Sequence, residues 1–522
     1  MNVSLRTLLF PLILVILFNC VNSGRILAVF PTPCISHQKV FRPLTLELLR
    51  RGHELIVITT DPMYPKRETP ENLTEIDLHD ISYNAKEIIL NEATPNKRSP
   101  LAQVFKMTEL FTNLVELQFQ SDEFQKILRN NETQYDLIII EAWVRPMLVL
   151  SHVFKAPLIQ LSSFAGLVYN YEALGVPVHP LRFPTFIHKK INNQSLLDKL
   201  KEVHLFLWFK FIIASSERGE NAMLRRIFGA NVPTISELSD NIDLLLLNVY
   251  PMWVGNIPVP PNVVYIGGIY KDAEQDLPED LKLFLNASKH GVIYFSLGSN
   301  VKSSQLCTET IEMFLEVFSQ LPYDVIWKWD KGQLLSRTPK NIMISEWLPQ
   351  SSLLKHPKVK LFITHGGLQS TEEAISAGVP LIGIPFYGDQ FYNVERYEQF
   401  KIGVKIDIYN ITKQHLYETI MMVIKDRSYH QNMLRLRSLM NDQPQCPLER
   451  AVWWTEHVLR QRGAAHLRSP TANITWTEYL EIDVFIVIAI LILTFSASCI
   501  WLLNCLLRYL ISSLFNVKFK TD

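Results

Sequence analysis

Three things are scarce in this chain of 522 residues: glycine, at 19, cysteine, at 6, and any excess of charge, with 51 Lys and Arg against 51 Asp and Glu. Few glycines, with no internal repeat and no low-complexity tract, exclude collagen-like, solenoid and linker-dominated architectures. A formal net charge of zero removes the electrostatic footprint that nucleic-acid binding requires. Of the cysteines, Cys20 sits in an N-terminal leader and Cys499 and Cys505 in an apolar run. Cys34, Cys307 and Cys446 remain, too few for a disulfide framework. What the chain does have is 48% hydrophobic residues and a length beyond the roughly 250–300 residues of one core, enough for two large domains.

The two ends read as targeting segments. Arg6 precedes the apolar run Leu8–Phe18 and small residues follow up to Gly24, the layout of a signal peptide over residues 1–23. Val484–Leu507 run for 24 residues without a charge, longer than the roughly 30 Å hydrocarbon core demands. Glu478, Glu481 and Asp483 precede this span, and Arg508, Lys518 and Lys520 follow it. That asymmetry predicts a single-pass type I chain with a lumenal body and a cytosolic tail at 508–522. Sequons at Asn72, Asn131, Asn193, Asn286, Asn410 and Asn473 agree with a secretory glycoprotein.

Within the body, short apolar runs alternate with longer amphipathic stretches: Ile26–Phe30, a helix from about Val40 to Arg51, Leu55–Thr59, Tyr135–Glu141 and Pro157–Leu161. A second alternation holds Val292–Leu297, a helix through Ser304–Gln320, Val325–Trp329, Ile342–Ser345, Val359–Thr364, a helix from Ser370, and Pro380–Ile384. This is the pattern of two doubly wound parallel α/β domains in tandem, and Pro258–Pro278 reads as their connection. Residues 163–236 read as irregular and aromatic-rich. Leu205–Ile213 there suits core packing, a wall of an apolar pocket or a membrane-facing patch.

Two turns can take phosphate. Phe362–Thr364 stops at His365-Gly366-Gly367 and opens into a helix, and Leu297-Gly298-Ser299-Asn300 follows the first strand of the second alternation. There is no G-x-G-x-x-G, and Gly383–Gly388 is followed by Asp389 rather than Lys-Ser/Thr, so neither a dinucleotide loop nor a P-loop is present. H-E-x-x-H, C-x-x-C and a strict D-x-D are also missing, so the spacing gives no metal site.

Trp347-Leu348-Pro349-Gln350, His365-Gly366-Gly367, Glu373 and Asp389-Gln390 together closely resemble the signature of the UDP-glycosyltransferase family, in its membrane-bound animal type and its invertebrate UDP-glucosyltransferases. The resemblance implies an inverting, metal-independent transferase of the GT-B fold, two facing Rossmann-like domains with a C-terminal transmembrane helix. It implies no cofactor beyond the UDP-sugar co-substrate. The implied boundaries are an acceptor domain at 24–270, a UDP-sugar domain at 271–440, returning helices at 441–483 and the span at 484–507. In the family pattern Trp347 stacks on uracil, and Gln350 and Glu373 hold the uridine. Ser299, His365 and the turn Gly367–Ser370, with Gln369, hold the diphosphate, and Asp389 and Gln390 grip the sugar. An indole face suits a flat base, and a carboxylate can accept vicinal ribose hydroxyls. Gln369-Ser370 stands where many members have Asn-Gly.

Ser36-His37, after the first strand, resembles the family's catalytic site, with His37 as general base for the acceptor hydroxyl. A helix N-terminus is expected to keep its ring neutral. Glu141, at the end of another strand, falls on the family's Asp and is expected to orient the imidazole. Asp136, a competitor, lies at that strand's other end. Asn256–Asn262 hold no basic residue, where glucuronate-using members tend to carry one, so the donor sugar reads as a neutral hexose, most simply glucose, with glucuronate as the alternative. The expected acceptor is a small lipophilic molecule bearing a hydroxyl, as in detoxification or hormone conjugation. Lys518 and Lys520 resemble a dilysine retrieval signal, implying residence in the endoplasmic reticulum membrane. Homo- or hetero-oligomers are left open. A catalytically silent binding subunit and a soluble UDP-sugar epimerase are the competing classes.

Overall fold

Runs such as Ile26–Phe30 and Leu137–Ile140 carry no polar side chain, which suits strands covered on both faces by helices. The computed structural model describes residues 23–65, 68–92, 100–130, 133–270, 275–299, 301–330 and 338–518. Residues 1–22 of the proposed signal peptide, Asn131, Asn300 and Lys520 lie outside the described residues. Strands β1 (Arg25–Phe30), β2 (Glu54–Thr59), β3 (Leu73–Asp77), β4 (Leu137–Glu141), β5 (Leu158–Ser162), β6 (Ile242–Leu247) and β7 (Val263–Tyr265) form one sheet in the order β3-β2-β1-β4-β5-β6-β7. Strands β8 (Val292–Ser296), β9 (Asp324–Lys328), β10 (Ile342–Ser345), β11 (Val359–Thr364), β12 (Leu381–Gly383) and β13 (Gly403–Lys405) form a second, in the order β10-β9-β8-β11-β12-β13.

The pairings within both sheets are parallel. Strand order reverses between β1 and β4 in the first sheet and between β8 and β11 in the second. Such switch points open a crevice at the carboxyl ends of the strands, where ligands bind.

Helix α1 (Ile35–Arg50) follows β1, α2 (Leu196–Phe228) lies between β5 and β6 in the chain, α3 (Leu368–Ala377) follows β11 and α4 (Gln390–Phe400) follows β12. Alternation along β1 splits its side chains between two cores. Leu27 and Val29 pack with Ile138, Ile140 and Trp253, while Ile26, Ala28 and Phe30 pack with Phe41 and Leu44 of α1. The second of these cores also takes Ala451, Val452 and Val458 from α5 (Pro447–Gln461), so a helix after the second sheet packs on the first. A third core, around Phe295, Phe314 and Trp327, covers one face of the second sheet.

Two stretches differ from the sequence expectation. Residues 163–236 hold the 33-residue helix α2, not irregular chain, because apolar side chains on its outer face erase the amphipathic period. Pro258–Pro278 is not wholly a connection, since β7 within it pairs with β6.

The chain forms two compact units divided between Ser469 and Pro470, and both sheets belong to the first. The second is mostly α6 (Ile482–Lys518), whose segment Ile482–Leu514 has a mean hydropathy of 2.6 and is long and apolar enough to cross a membrane. The helix continues past Arg508.

Candidate active site

His37 lies in the first turn of α1, and a buried amide fixes the loop that carries it. The Gln38 side chain donates to the Phe30 and Thr32 carbonyls at 3.0 and 3.1 Å, and its oxygen accepts from Thr59 Oγ1 at 2.8 Å. Glu141, at the end of β4 across the switch point, is fully buried. Its Oε1 lies 2.8 Å from His37 Nδ1 and accepts the Trp143 indole N–H at 2.7 Å, and its Oε2 accepts the Thr32 N–H at 3.3 Å. With Nδ1–H directed at the carboxylate, Nε2 holds the lone pair that can take a proton. Asp136 is placed elsewhere, at the opposite strand end, where it accepts the Arg25 N–H at 2.8 Å.

Rings of Phe164, Trp143 and Phe41 stand 5.7, 6.4 and 6.5 Å from the His37 ring, giving the imidazole an aromatic enclosure. The expectation of a neutral imidazole is corrected here. Burial does oppose the charged ring, yet Cys34, Glu141 and Asp389 outweigh it and raise the pKa from 6.5 to about 9. Near carboxylates act at shorter range than the weak positive end of α1.

In the second sheet, β8 and β11 deliver Gly298 and His365 to one point. A Cβ on Gly298, whose φ is +80°, would sit 2.5 Å from His365 Cε1, and one on Gly367 would sit 2.7 Å from His365 Nε2. The imidazole is therefore flanked by two positions that only glycine fills. Burial, with Lys328 nearby, pushes its pKa down to about 4, leaving it neutral. Lys328, at the end of β9, donates to the Gly298 carbonyl at 3.0 Å and lies 4.6 Å from the centre of the Trp347 ring. Trp347 is 61% exposed, an indole open to a stacking partner. Ser299 is exposed in the turn after β8.

Gln350 donates to Ser370 Oγ at 2.9 Å and to Glu373 Oε2 at 2.5 Å, and accepts from Tyr294 at 3.0 Å. Burial, with Glu373 beside it, raises the neighbouring Glu372 to about 8.

Asp389 stands just before α4 and its carboxylate accepts from Asn393 Nδ2 at 2.7 Å; burial raises its pKa, while Asn393 and His37 oppose the rise. Asn393 also donates to the Gly366 carbonyl at 2.9 Å and accepts the Trp253 indole N–H at 2.9 Å. One buried amide thus joins Asp389, the His-Gly-Gly turn and a residue following β6.

Two expected ligand contacts are engaged otherwise. Gln369 Nε2 donates to the Ser163 carbonyl at 3.0 Å, bridging the second-sheet turn to the end of β5. Gln390 Oε1 accepts from the Phe386 and Tyr387 N–H groups at 2.8 and 3.1 Å. The longer Gln369, in place of Asn, reaches past its own turn.

Sequence reading missed Gln38, Lys328 and Asn393. Lys328 had a signal, a cation closing the apolar strand Val325–Trp327 at the end where ligands bind. Asn393 lies one helical turn from Asp389, but its other two partners, Trp253 and Gly366, lie 140 and 27 residues away, where local pattern does not reach.

The assembled features are an imidazole–carboxylate pair, an exposed indole, a carboxylate–amide cluster, and a glycine-flanked turn with a lysine. They suit a nucleotide diphosphate on the second sheet and a proton acceptor on the first. The sequence profile described as UDP-glucoronosyl and UDP-glucosyl transferase matches residues 24–520. The chain belongs to that family. This UDP-glycosyltransferase is similar to the ecdysteroid UDP-glucosyltransferase of Spodoptera littoralis nuclear polyhedrosis virus, 38% identical over 490 residues, covering 90% of this chain and 95% of the relative. It is also similar to UDP-glucosyltransferase 2 of Dactylopius coccus, 31% identical with 93% of each chain covered.

Among solved structures, the kitacinnamycin glycotransferase matches with a TM-score of 0.57 at 19% identity, over 85% of this chain and 100% of that one. A Polygonum tinctorium UDP-glucosyltransferase, described as capable of glucosylating indoxyl, matches with a TM-score of 0.56 at 15% identity, over 84% and 99%. The fold is GT-B, as the resemblance implied.

Proposed function

We propose that this UDP-glycosyltransferase moves glucose from UDP-glucose, with inversion, onto a hydroxyl of a small lipophilic acceptor, with His37 as general base. The observation that carries the reading is the 2.8 Å approach of His37 Nδ1 to the buried Glu141 carboxylate inside an aromatic enclosure. The acceptor O–H gives its proton to His37 Nε2 as its oxygen bonds the anomeric carbon. The bond from that carbon to the diphosphate breaks, and UDP leaves with the electron pair. Glu141 holds the ring and balances its charge. Lys328 and the N–H groups opening α3 meet the charge that grows on the diphosphate, Trp347 stacks on the base, and Gln350 and Glu373 take the ribose. Asp389 lies close enough to His37 to influence its titration, so sugar and base share one cleft. No cofactor or metal is assigned a role.

Glucose is supported by the names of the relatives, and their ecdysteroid label makes a steroid alcohol the first acceptor to try. One observation favours UDP-glucuronate as a second reading. Lys39 of α1, bonded to Tyr270 at 3.1 Å, lies near enough to Lys328 to depress its pKa, bringing a second cation toward the donor site.

Residence in the endoplasmic reticulum membrane, with α6 as anchor and the body lumenal, completes the proposal. The sequon asparagines within the described residues, Asn72, Asn193, Asn286, Asn410 and Asn473, are all exposed, as lumenal glycosylation requires. The test is acceptor-dependent UDP release by membranes bearing the full chain, comparing UDP-glucose with UDP-glucuronate, with and without chelator, and assigning the product anomer by NMR. A β-glucoside formed in chelator supports the reading. A glucuronide, an α-product or loss of activity in chelator would count against its respective parts.

A further inference from the structure

Alternate residues of an extended chain share a face, and Glu141, the last residue of β4, and Trp143, two beyond it, both turn toward His37. There a single carboxylate oxygen, Oε1 of Glu141, serves two donors, His37 Nδ1–H at 2.8 Å and the Trp143 indole N–H at 2.7 Å. An indole N–H can only donate. It therefore favours the charged carboxylate and takes up part of the charge that Oε1 presents to the imidazole.

The indole is held for this contact from several sides. The Phe111 ring meets it edge-on at 4.2 Å, and the Tyr169 hydroxyl donates to the Trp143 carbonyl at 2.8 Å. Asn170 Nδ2 donates to the carbonyl of the intervening Ala142 at 2.7 Å. Arg145 lies 5.2 Å over the Tyr169 ring and pairs with Glu220 at 2.7 Å, so its charge is balanced within that pair. Burial raises the pKa of the Tyr169 hydroxyl and keeps it neutral. The groups whose charge acts on His37 are then Cys34 before α1, Glu141 after β4 and Asp389 before α4, and all three favour the protonated ring.

We propose that Trp143 is a positioning residue for transfer that acts through Glu141: its N–H turns Oε1 toward His37 Nδ1 and tempers the charge of that oxygen, so the imidazole gives up its proton closer to neutrality. The inference rests on the reading of His37 as general base. A ring held protonated by its neighbours cannot take the proton of an acceptor hydroxyl. A donor on the shared oxygen offsets part of that hold, while the Thr32 N–H keeps Oε2 in place at 3.3 Å. The Trp143 ring also borders the imidazole at 6.4 Å, so lining the acceptor pocket is the competing role.

The test is kcat/KM against pH for transfer from UDP-glucose in membranes bearing the full chain, with wild type, Trp143→Phe and Trp143→benzothienylalanine. The last keeps the two-ring shape and lacks the N–H. Both variants are expected to move the acid limb of the profile to higher pH, with about tenfold lower activity on the limb for each pH unit moved and recovery on the alkaline plateau. In a Glu141→Gln background, where the oxygen carries no charge, the same changes are expected to leave the limb in place. A limb that stays put while activity falls or acceptor KM rises makes Trp143 a wall of the pocket and overturns the proposal. A limb moved to lower pH overturns it as well, because the indole then strengthened the hold of Glu141 on the proton. His37→Ala separates this inference from the reading beneath it. Turnover retained in that variant removes the base and the inference together, whereas turnover lost there, with an unmoved limb in the Trp143 variants, removes the inference alone. The benzothienylalanine variant decides the matter if Trp143→Phe fails to fold.

Discussion

Nδ1 of His37 lies 2.8 Å from Oε1 of Glu141, and the same oxygen holds the Trp143 indole N–H. A carboxylate so placed sets the imidazole tautomer and steadies its charged form. Glu141→Gln should lower kcat by about 10²- to 10⁴-fold while leaving UDP binding unchanged, as removal of an orienting carboxylate does. Glu141→Asp should fall between wild type and Gln, since the charge remains and one methylene of reach is lost. Steady-state kinetics with UDP titration of each variant checks the split.

The pH profile follows from the same pair. Negative neighbours outweigh burial and lift His37 from 6.5 to about 9, so the ring must shed a proton before it can act as base. kcat/KM should therefore rise with pH along a limb well above 6.5, and Glu141→Gln should move that limb down. The stability effect has the opposite slope. Stabilisation by the protonated ring is fully present below about 6.5 and is lost as pH rises through about 9, which a thermal-midpoint series across that window would record.

Lys328 stands between the Gly298 carbonyl and the Trp347 ring, in a site that disfavours its own charge through burial. Lys328→Met should raise KM for UDP-glucose by about 10- to 100-fold, the range expected when a charged hydrogen bond worth about 1.5–3 kcal/mol is lost. Calorimetric titration with UDP alone should show a similar loss, placing the effect on the nucleotide and not on the acceptor.

Asn393 bonds Asp389, Gly366 and Trp253 from one buried amide. Asn393→Leu should destabilise the fold by about 1–3 kcal/mol, because it leaves polar partners buried without a bond. It should also weaken sugar binding through a misplaced Asp389. Denaturant unfolding reads the first effect and KM for UDP-glucose the second.

Much of this was legible beforehand, for a physical reason. Parallel strands buried on both faces must be apolar throughout, so β1, β4, β8 and β11 announce themselves, and the residues that end them occupy the switch points. The turns at Gly298 and His365 were found that way, while His37 and Glu141 were singled out by the family resemblance. Helix α2 was hidden because Leu200, Leu207 and Phe211 face outward where polar residues ordinarily mark the solvent side. Strand β7 was hidden among prolines. Gln38, bonded to Thr59 twenty-one residues away, and Asn393, bonded to Trp253, act through partners that local pattern does not connect. Gln369 had a legible identity but not a legible direction, since its bond to the Ser163 carbonyl exists only once both sheets are in place.

The most direct test of the central claim compares His37→Ala with wild type in the same membranes, following acceptor-dependent UDP release from UDP-glucose and, separately, UDP affinity. The account predicts that transfer falls to background while UDP affinity is unchanged. Full turnover in the variant would contradict it and remove His37 as the base.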